Sequence, residues 1–346
     1  MTQLEVREAG IAYDRQEVVK GVSFALEPGE IGCLLGPSGC GKTSLLRAIA
    51  GFEPLRSGEI SLRGQRVSAP GFQLPPEARR VGMVFQDFAL FPHLTIGDNI
   101  AFGLRDLPAR ERDQRVLELL KLVDMDGLRD VYPHQISGGQ QQRVALIRAI
   151  APRPDLLLLD EPFSSLDVEL REQLAREVRT VLKQGGITAI LVTHDQLEAF
   201  AMADVIGVMH QGQLAQWDSA YQLYHEPRDR FVADFIGQGV FLQGRVVGEN
   251  LSETPFGVIH GIARGDCCNE GQTVEILLRP DDVVHDDASD MLAEVVDKAF
   301  RGAEYLYTLR LAGGEEILCL VQSHHNHAVG EQIGIRLDVQ HLVMFP

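Results

Sequence analysis

The sequence predicts an α/β domain built on a parallel sheet with helices on both faces, followed by a small all-β domain. Three observations predict this. Short, largely apolar runs at residues 31–35, 156–159 and 187–192 read as buried strands. Segments of helical period alternate with them, which is the order of a parallel sheet. Beyond residues 237–239 the texture changes to short alternating runs separated by glycine, proline and acidic turns, the pattern of a small barrel. At roughly 100–200 residues per domain, 346 residues suit two domains, here 1–237 and 238–346.

The elements follow in order. Residues 4–26 read as short strands, with Val22, Phe24 and Leu26 on one face, and Pro28-Gly29 makes a turn. After the apolar run 31–35 comes a glycine-rich turn and then a helical stretch, 43–50. From about 87 to 152 the texture is helical. Val116, Leu119, Leu120 and Val123 are spaced i, i+3, i+4, i+7 and form one apolar face. A further helix, 140–151, is stopped by Pro152. The charged amphipathic stretch 168–183 is closed by Gly185-Gly186. In the second domain, Tyr305, Tyr307, Leu309 and Leu311 alternate with polar or outward residues, as do Ile333, Ile335, Leu337 and Val339.

Composition narrows the function. The formal net charge is −17, so broad binding to nucleic-acid phosphates is disfavoured. The five cysteines show no CxxC pair and no zinc spacing, and they read as free thiols of a reducing compartment. No apolar h-region follows Met1. No run of about 18 apolar residues is present, so any service to a membrane is expected to run through a partner.

Three motifs carry chemistry. GPSGCGKT, residues 36–43, fits G-x-x-x-x-G-K-[ST] between a buried strand and a helix. Gly36, Pro37, Ser38, Gly39, Cys40 and Gly41 let the backbone curl so that N–H groups face phosphate oxygens, and Ser44 continues into the helix, whose positive end points at the same anion. Lys42 supplies a point charge for the β- and γ-phosphates, and Thr43 a hydroxyl for Mg²⁺. LLLLDE, residues 156–161, places two carboxylates at the end of a strand where open α/β sheets bind ligands. Asp160 suits the magnesium shell, and Glu161 suits polarising a water for attack. ISGGQQQR, residues 136–143, offers Ser137 as a helix N-cap, with Gly138 and Gly139 leaving bare N–H groups before Gln140. Alone this third motif would be no more than a capped helix; beside the other two it is a second anion cradle.

The order of GPSGCGKT, Gln86, ISGGQ, LLLLDEP, Ser165-Leu166-Asp167 and His194 resembles the ABC ATPase family over residues 4–237, departing from the usual LSGGQ only by isoleucine for leucine. The resemblance implies a P-loop NTPase fold with added antiparallel β and helical subdomains. It implies an ATPase using ATP and Mg²⁺, with Tyr13 stacking on adenine, and Gln86 sensing the γ-phosphate and joining Thr43 and Asp160 at the metal. Glu161 and His194 would act on the attacking water, and Asp167 would sit in a dimer-interface loop. Ser137, Gly138, Gly139 and Gln140 of one subunit would complete the site of the other, so that a homodimer sandwiches two ATP.

Residues 240–346, with the arginine-proline element LLRPD at 277–281, resemble the regulatory tail of importer-type members, an oligonucleotide-binding-like barrel that does not serve nucleic acid. The resemblance implies integral membrane permease subunits, a periplasmic or extracellular substrate-binding protein, and a peripheral place on the cytoplasmic face of the inner (plasma) membrane. Phe88, Leu90, Phe91 and Pro92 are expected near the permease contact. The wording of residues 74–94 and the short tail point to ferric iron as cargo, with polyamine, phosphonate or sugar as alternatives. A soluble ABC ATPase without a membrane partner is the rival reading. Against it stand the acidic charge, the single cassette and the lack of a long coiled-coil insertion. A P-loop GTPase would carry N-K-x-D, which is missing. His324, His325 and His327 read as a solvated loop, because two or three imidazoles without a nearby fixed carboxylate form no defined site.

Overall fold

The computed structural model describes residues 2–164, 168–248, 251–260, 262–263, 270–338 and 343–345; Asp167, Cys267 and Cys268 lie outside them. Packing divides the chain into two compact units, 1–220 and 221–346. The change of sequence texture comes later, at 237–239.

The first unit begins with a long hairpin, β1 Leu4–Tyr13 and β2 Gln16–Leu26, turned at Asp14-Arg15. These strands exceed the short ones expected, and register shifts along β1 bend the pair. β3 Ile31–Leu35 and α1 Lys42–Ala50 follow. Next come β4 Ser57–Leu62, β5 Gln65–Ala69 and β6 Phe72–Gln73, which extend the hairpin into an antiparallel sheet of order β2-β1-β4-β5-β6. β7 Val81–Val84 leads to the helical part: α2 Ile96–Ala101, α3 Ala109–Leu122 and α4 Gly138–Ile150. The apolar face expected on α3 is the buried one, through Val116, Leu119 and Leu120. Then come β8 Leu156–Asp160, α5 Val168–Gln184, β9 Ala189–Thr193, α6 Gln196–Met202, β10 Val205–His210 and β11 Gln213–Asp218.

A second sheet has the order β11-β10-β3-β9-β8-β7, parallel from β10 to β7 with β11 as an antiparallel edge. Strands β3, β8 and β9 are buried along their whole length, which explains their apolar sequences, broken only at the C-terminal ends of β8 and β9 by Asp160 and Thr193. One apolar core, including Leu4, Val6, Leu26, Leu45, Ile49, Leu158 and Ile190, fills the space between the two sheets and α1.

The second unit opens with α7 Ala220–His225 and α8 Arg230–Phe235. It continues as β12 Val240–Gly248, β13 Leu251–Thr254, β14 Gly257–His260, β15 Ile262–Ala263, β16 Thr273–Leu278, β17 Val283–His285, β18 Leu292–Phe300, β19 Glu304–Arg310, β20 Glu316–Gln322, β21 Gln332–Leu337 and β22 Val343–Phe345. Two sheets, β14-β13-β12-β16-β22-β15 and β17-β21-β18-β19-β20, pair antiparallel throughout except for the short β15 beside β22. They close round one core in which Leu242, Ile276, Val295, Tyr307, Leu309, Cys319 and Ile335 meet. The result is a small, nearly closed barrel.

The arginine-proline element has a structural use here. Buried Arg279 donates to the carbonyls of Gln238 at 3.1 Å and Tyr224 at 3.3 Å, and its guanidinium lies 4.5 Å from the centroid of the Tyr224 ring. The Tyr224 hydroxyl donates to Asp281 at 2.7 Å. These contacts fasten α7 to the barrel.

Candidate functional site

Four parallel strands, β3, β9, β8 and β7, stand side by side in that order, and each delivers one motif at its C-terminal end. Leu35 is level with Thr193, Val192 with Asp160, and Leu159 with Val84. The residues just past these tips are Gly36, His194, Glu161, and Phe85-Gln86. Chain order separates them widely; sheet order brings them together, at the edge where open α/β sheets bind ligands.

The loop 36–43 is shaped by two close approaches. A Cβ on Gly36 would lie 2.3 Å from the carbonyl of Met209, so only glycine fits there. Gly41 has φ 103 and lies against the Val18 carbonyl. Gly41 is also the N-cap of α1, with no side-chain cap, which leaves the first N–H groups of the helix facing the loop. Lys42 is buried, and its ammonium points into the loop, donating to Gly36 O at 2.7 Å and Pro37 O at 3.0 Å. Cys40 is a buried free thiol beneath it, and Ser38 and Gly39 are exposed at the crest. Tyr13, at the end of β1, is exposed, and its hydroxyl reaches Ser44 Oγ at 3.3 Å, which sets the ring beside the first turn of α1.

Thr43 Oγ1 donates to Asp160 Oδ1 at 3.1 Å. Burial, the largest cause, raises the Asp160 pKa, and the neighbouring Glu161 charge adds to this. The Thr43 hydrogen bond and the charges of Arg47 and Lys42 oppose it. Such a carboxylate has most to gain from a cation. Glu161 takes φ 46, a left-handed conformation that costs a non-glycine residue about 1–2 kcal/mol. Its N–H donates to Val192 O at 3.0 Å, and Ser164 Oγ donates to its carbonyl at 3.0 Å; these hold the strained turn. The turn aims the carboxylate at His194, with Glu161 Oε2 and His194 Nδ1 3.5 Å apart. Gln86 is exposed one strand over, past the tip of β7.

The sequence reading missed the group that sets the His194 loop. Asp195 caps α6 through Leu197 N at 2.8 Å and Glu198 N at 3.3 Å, and it pairs with Arg171 at 2.8 Å. Buried Glu198 accepts from Thr193 Oγ1 at 2.5 Å, and burial raises its pKa. Asp195 alone was detectable, as an N-cap before an apolar run.

The third motif caps α4 reciprocally. Ser137 Oγ accepts from Gln140 N at 3.3 Å, and Gln140 Oε1 accepts from Ser137 N at 2.9 Å, a capping box. Ser137 and Gly138 are exposed, and the first turn of α4 has no acidic residue. In the loop before α2, Arg148 donates to Ala89 O at 2.6 Å and Phe88 O at 2.9 Å. Buried Asn99 donates to Phe91 O at 3.1 Å and accepts from Phe91 N at 2.9 Å. Phe88 is itself buried, whereas Leu90 and Phe91 are half-buried and Pro92 is exposed.

Residues 19–164 match the family model described as ABC transporter, and residues 276–345 that of the TOBE domain. The chain is 40% identical to the Fe(3+) ions import ATP-binding protein FbpC 2 of Pectobacterium atrosepticum, over 97% of each chain. It is 37% identical to the spermidine/putrescine import ATP-binding protein PotA of Aggregatibacter actinomycetemcomitans, over 96% of this chain and 93% of the relative. The chain belongs to the ABC transporter family. It is an importer-type ATP-binding subunit with a C-terminal TOBE-type barrel, and an ATPase whose hydrolysis is coupled to transport. A solved dimeric post-hydrolysis structure of the ATP-binding cassette MJ0796, bound to ADP and Pi, overlays 62% of this ABC ATPase and 98% of itself at 28% identity, with a TM-score of 0.54. Among the described residues, no helix is long and apolar enough to cross a membrane.

Proposed function

We propose that this ABC ATPase works as a homodimer that sandwiches two ATP and drives a membrane permease importing ferric iron. The observation that carries the catalytic part is the convergence of Gly36–Thr43, Asp160, Glu161 and His194 on adjacent strand ends. In this reading Gly36, Pro37, Ser38, Gly39, Cys40 and Gly41, with Ser44, cradle the phosphates at the positive end of α1, the loop residues other than Pro37 donating their N–H groups. Lys42 moves its charge from loop carbonyls to phosphate oxygens. Tyr13 stacks on the base. Glu161 accepts the proton of the attacking water, and His194 holds that water from the neighbouring strand. Thr43 and Asp160 fit Mg²⁺, being a hydroxyl and a buried carboxylate already in contact, with Gln86 the third residue at that edge. Mg²⁺ bound there supplies positive charge to the β- and γ-phosphate oxygens.

Ser137 and Gly138 are exposed at a helix start that has no acidic residue in its first turn, and with Gly139 and Gln140 behind them they suit an anion held on another chain. Asp167, outside the described residues, belongs to the dimer loop in the same reading. Leu90, Phe91 and Pro92 are the side chains at the loop before α2 left for a permease contact, since Phe88 is buried. The partners are a permease in the inner membrane and, beyond it, a substrate-binding protein. The subunit sits peripherally on the cytoplasmic face and binds no nucleic acid.

Iron is supported by the wording of residues 74–94 and by 40% identity across full length to an Fe(3+) import relative. A polyamine cargo is the second reading, favoured by the spermidine/putrescine import relative. Uptake of labelled ferric iron and of labelled putrescine in the native cell, with wild type and with Glu161→Gln, decides between them. Loss of iron uptake with putrescine uptake intact supports iron. The converse result replaces iron with polyamine and leaves the ATPase reading in place.

A further inference from the structure

The barrel holds a cluster that the nucleotide machinery does not use. His285 ends β17, and His325 and His327 come from the loop after β20. One ring nitrogen from each lies within 4.8 Å of the others. All three residues are half-buried, the His285 side chain being only 7% exposed, and the ring centroids of His325 and His327 each stand 4.8 Å from that of His285.

The loop is built rather than solvated. The buried Tyr307 hydroxyl donates to His325 O at 2.9 Å and accepts from His327 N at 3.0 Å, while Lys298 Nζ donates to His327 O at 2.7 Å. Glu331, four residues after His327, supplies the fixed carboxylate. It meets His327 Nδ1 at 3.0 Å and is itself held by Ala328 N at 2.7 Å. A carboxylate on Nδ1 fixes the tautomer and turns the lone pair of Nε2 outward, as it does for metal-ligating histidines. The Nε2 atoms of both His327 and His285 are buried and meet no hydrogen-bond partner. Asp287 Oδ1 comes within 3.1 Å of His285 Nε2 without making that bond, and Asp287 is otherwise exposed. Two orphaned imidazole nitrogens facing a third ring are costly unless a ligand takes them.

We propose that His285, His325 and His327 bind one divalent transition-metal ion of the zinc class, with Glu331 as the positioning residue for His327 and Asp287 beside the fourth position. Three imidazole nitrogens and a carboxylate suit such an ion. Ligands of a tetrahedral ion at about 2.0–2.1 Å lie roughly 3.3 Å apart. Binding would require the rings to rotate toward one another to close this difference. The ion would tie the end of β17 to the loop after β20, and the proposal stands whichever cargo is carried.

The test uses the full-length, chelator-treated protein without nucleotide, titrated with Co(II) and followed by the visible bands of tetrahedral cobalt. The expected result is about one equivalent per chain, displaced by Zn(II). His327→Gln and His325→Gln, both on the loop, abolish the bands, and Glu331→Gln weakens binding about 10–100-fold. Asp160→Asn and the double change Cys267→Ser with Cys268→Ser retain the bands, which separates this site from the nucleotide site and from the adjacent thiols. Unfolding curves of the metal-free variants confirm that they remain folded. No tetrahedral cobalt in the wild type, or bands indifferent to the imidazole substitutions, would overturn the proposal.

Discussion

Glu161 shows how a single position can be read from its strain. A carboxylate side chain in a left-handed conformation just past a buried strand is unfavourable, yet two backbone hydrogen bonds and Ser164 hold it there. The strain directs the carboxylate to His194 rather than out to solvent. Glu161→Gln keeps the volume and the turn but cannot accept a proton. Its turnover is expected to fall at least about 100-fold with ATP affinity retained, because a general base contributes about 10²–10⁴-fold. Phosphate release and nucleotide binding, measured on the same preparation, check the two halves of that statement. Normal turnover would remove Glu161 from its role. Tyr13 offers a different readout. Its ring stands exposed beside Ser44, and aromatic stacking on a base is worth about 1–3 kcal/mol. Tyr13→Ala should therefore raise the Kd for ATP about tenfold while Tyr13→Phe leaves it near wild type. Equal loss in both would point to the hydroxyl rather than to the ring.

The phosphate-loop helix α1 is anchored at its far end by a residue that no motif announces. Arg79 is buried, and its guanidinium donates to Ala48 O and Ile49 O, each at 2.9 Å, so it satisfies carbonyls at the C-terminal end of α1. The same group donates to Leu74 O, Val67 O and Ser68 Oγ, joining that helix end to β5. Burial lowers the Arg79 pKa to about 10. Replacing it leaves several buried carbonyls without donors, each costing about 1–3 kcal/mol. Arg79→Met is expected to destabilise the first unit by about 3 kcal/mol or more, read as a lower denaturant midpoint, and Arg79→Lys should recover only part of this, lacking the planar fork. A midpoint unchanged in Arg79→Met would mean that the packing of α1 alone holds its end. Elements of this kind explain what the sequence could and could not reveal. Strands β3, β8 and β9 were legible because burial on both faces writes a largely apolar run, and Ser137 was legible because caps are local. The partners of Arg79 are carbonyls, which have no sequence signature. His285 likewise lies far along the chain from His325 and His327, and it is the packing of β17 against β20 and β21 that brings them together. Antiparallel strands β4 to β6 are short and half-exposed, so their period is weak.

In the proposed reading one chain carries two anion cradles, at the start of α1 and at the start of α4, and a single triphosphate has no use for both. A head-to-tail dimer uses each cradle once per site, with the α1 end from one subunit and the α4 end from the other. This arrangement predicts a complementation that a site closed within one chain would forbid. Lys42→Ala disables the first cradle, and Ser137→Arg disables the second by placing a bulky side chain at the helix start. Each variant alone should hydrolyse ATP at background rate. In an equal mixture that exchanges subunits, about half of the dimers pair the two variants. In each mixed dimer one site combines both defects, and the other combines the intact α1 end of the Ser137→Arg chain with the intact α4 end of the Lys42→Ala chain. If the two sites turn over independently, the mixture recovers about one quarter of wild-type activity. If intact sites must fire together, activity stays at background, but the mixed dimer still traps one ATP when Glu161→Gln is added to the Ser137→Arg chain. Were each site instead completed within its own chain, both sites of every mixed dimer would carry a defect. Neither turnover nor trapped nucleotide would then appear, and the sandwiched arrangement would fail.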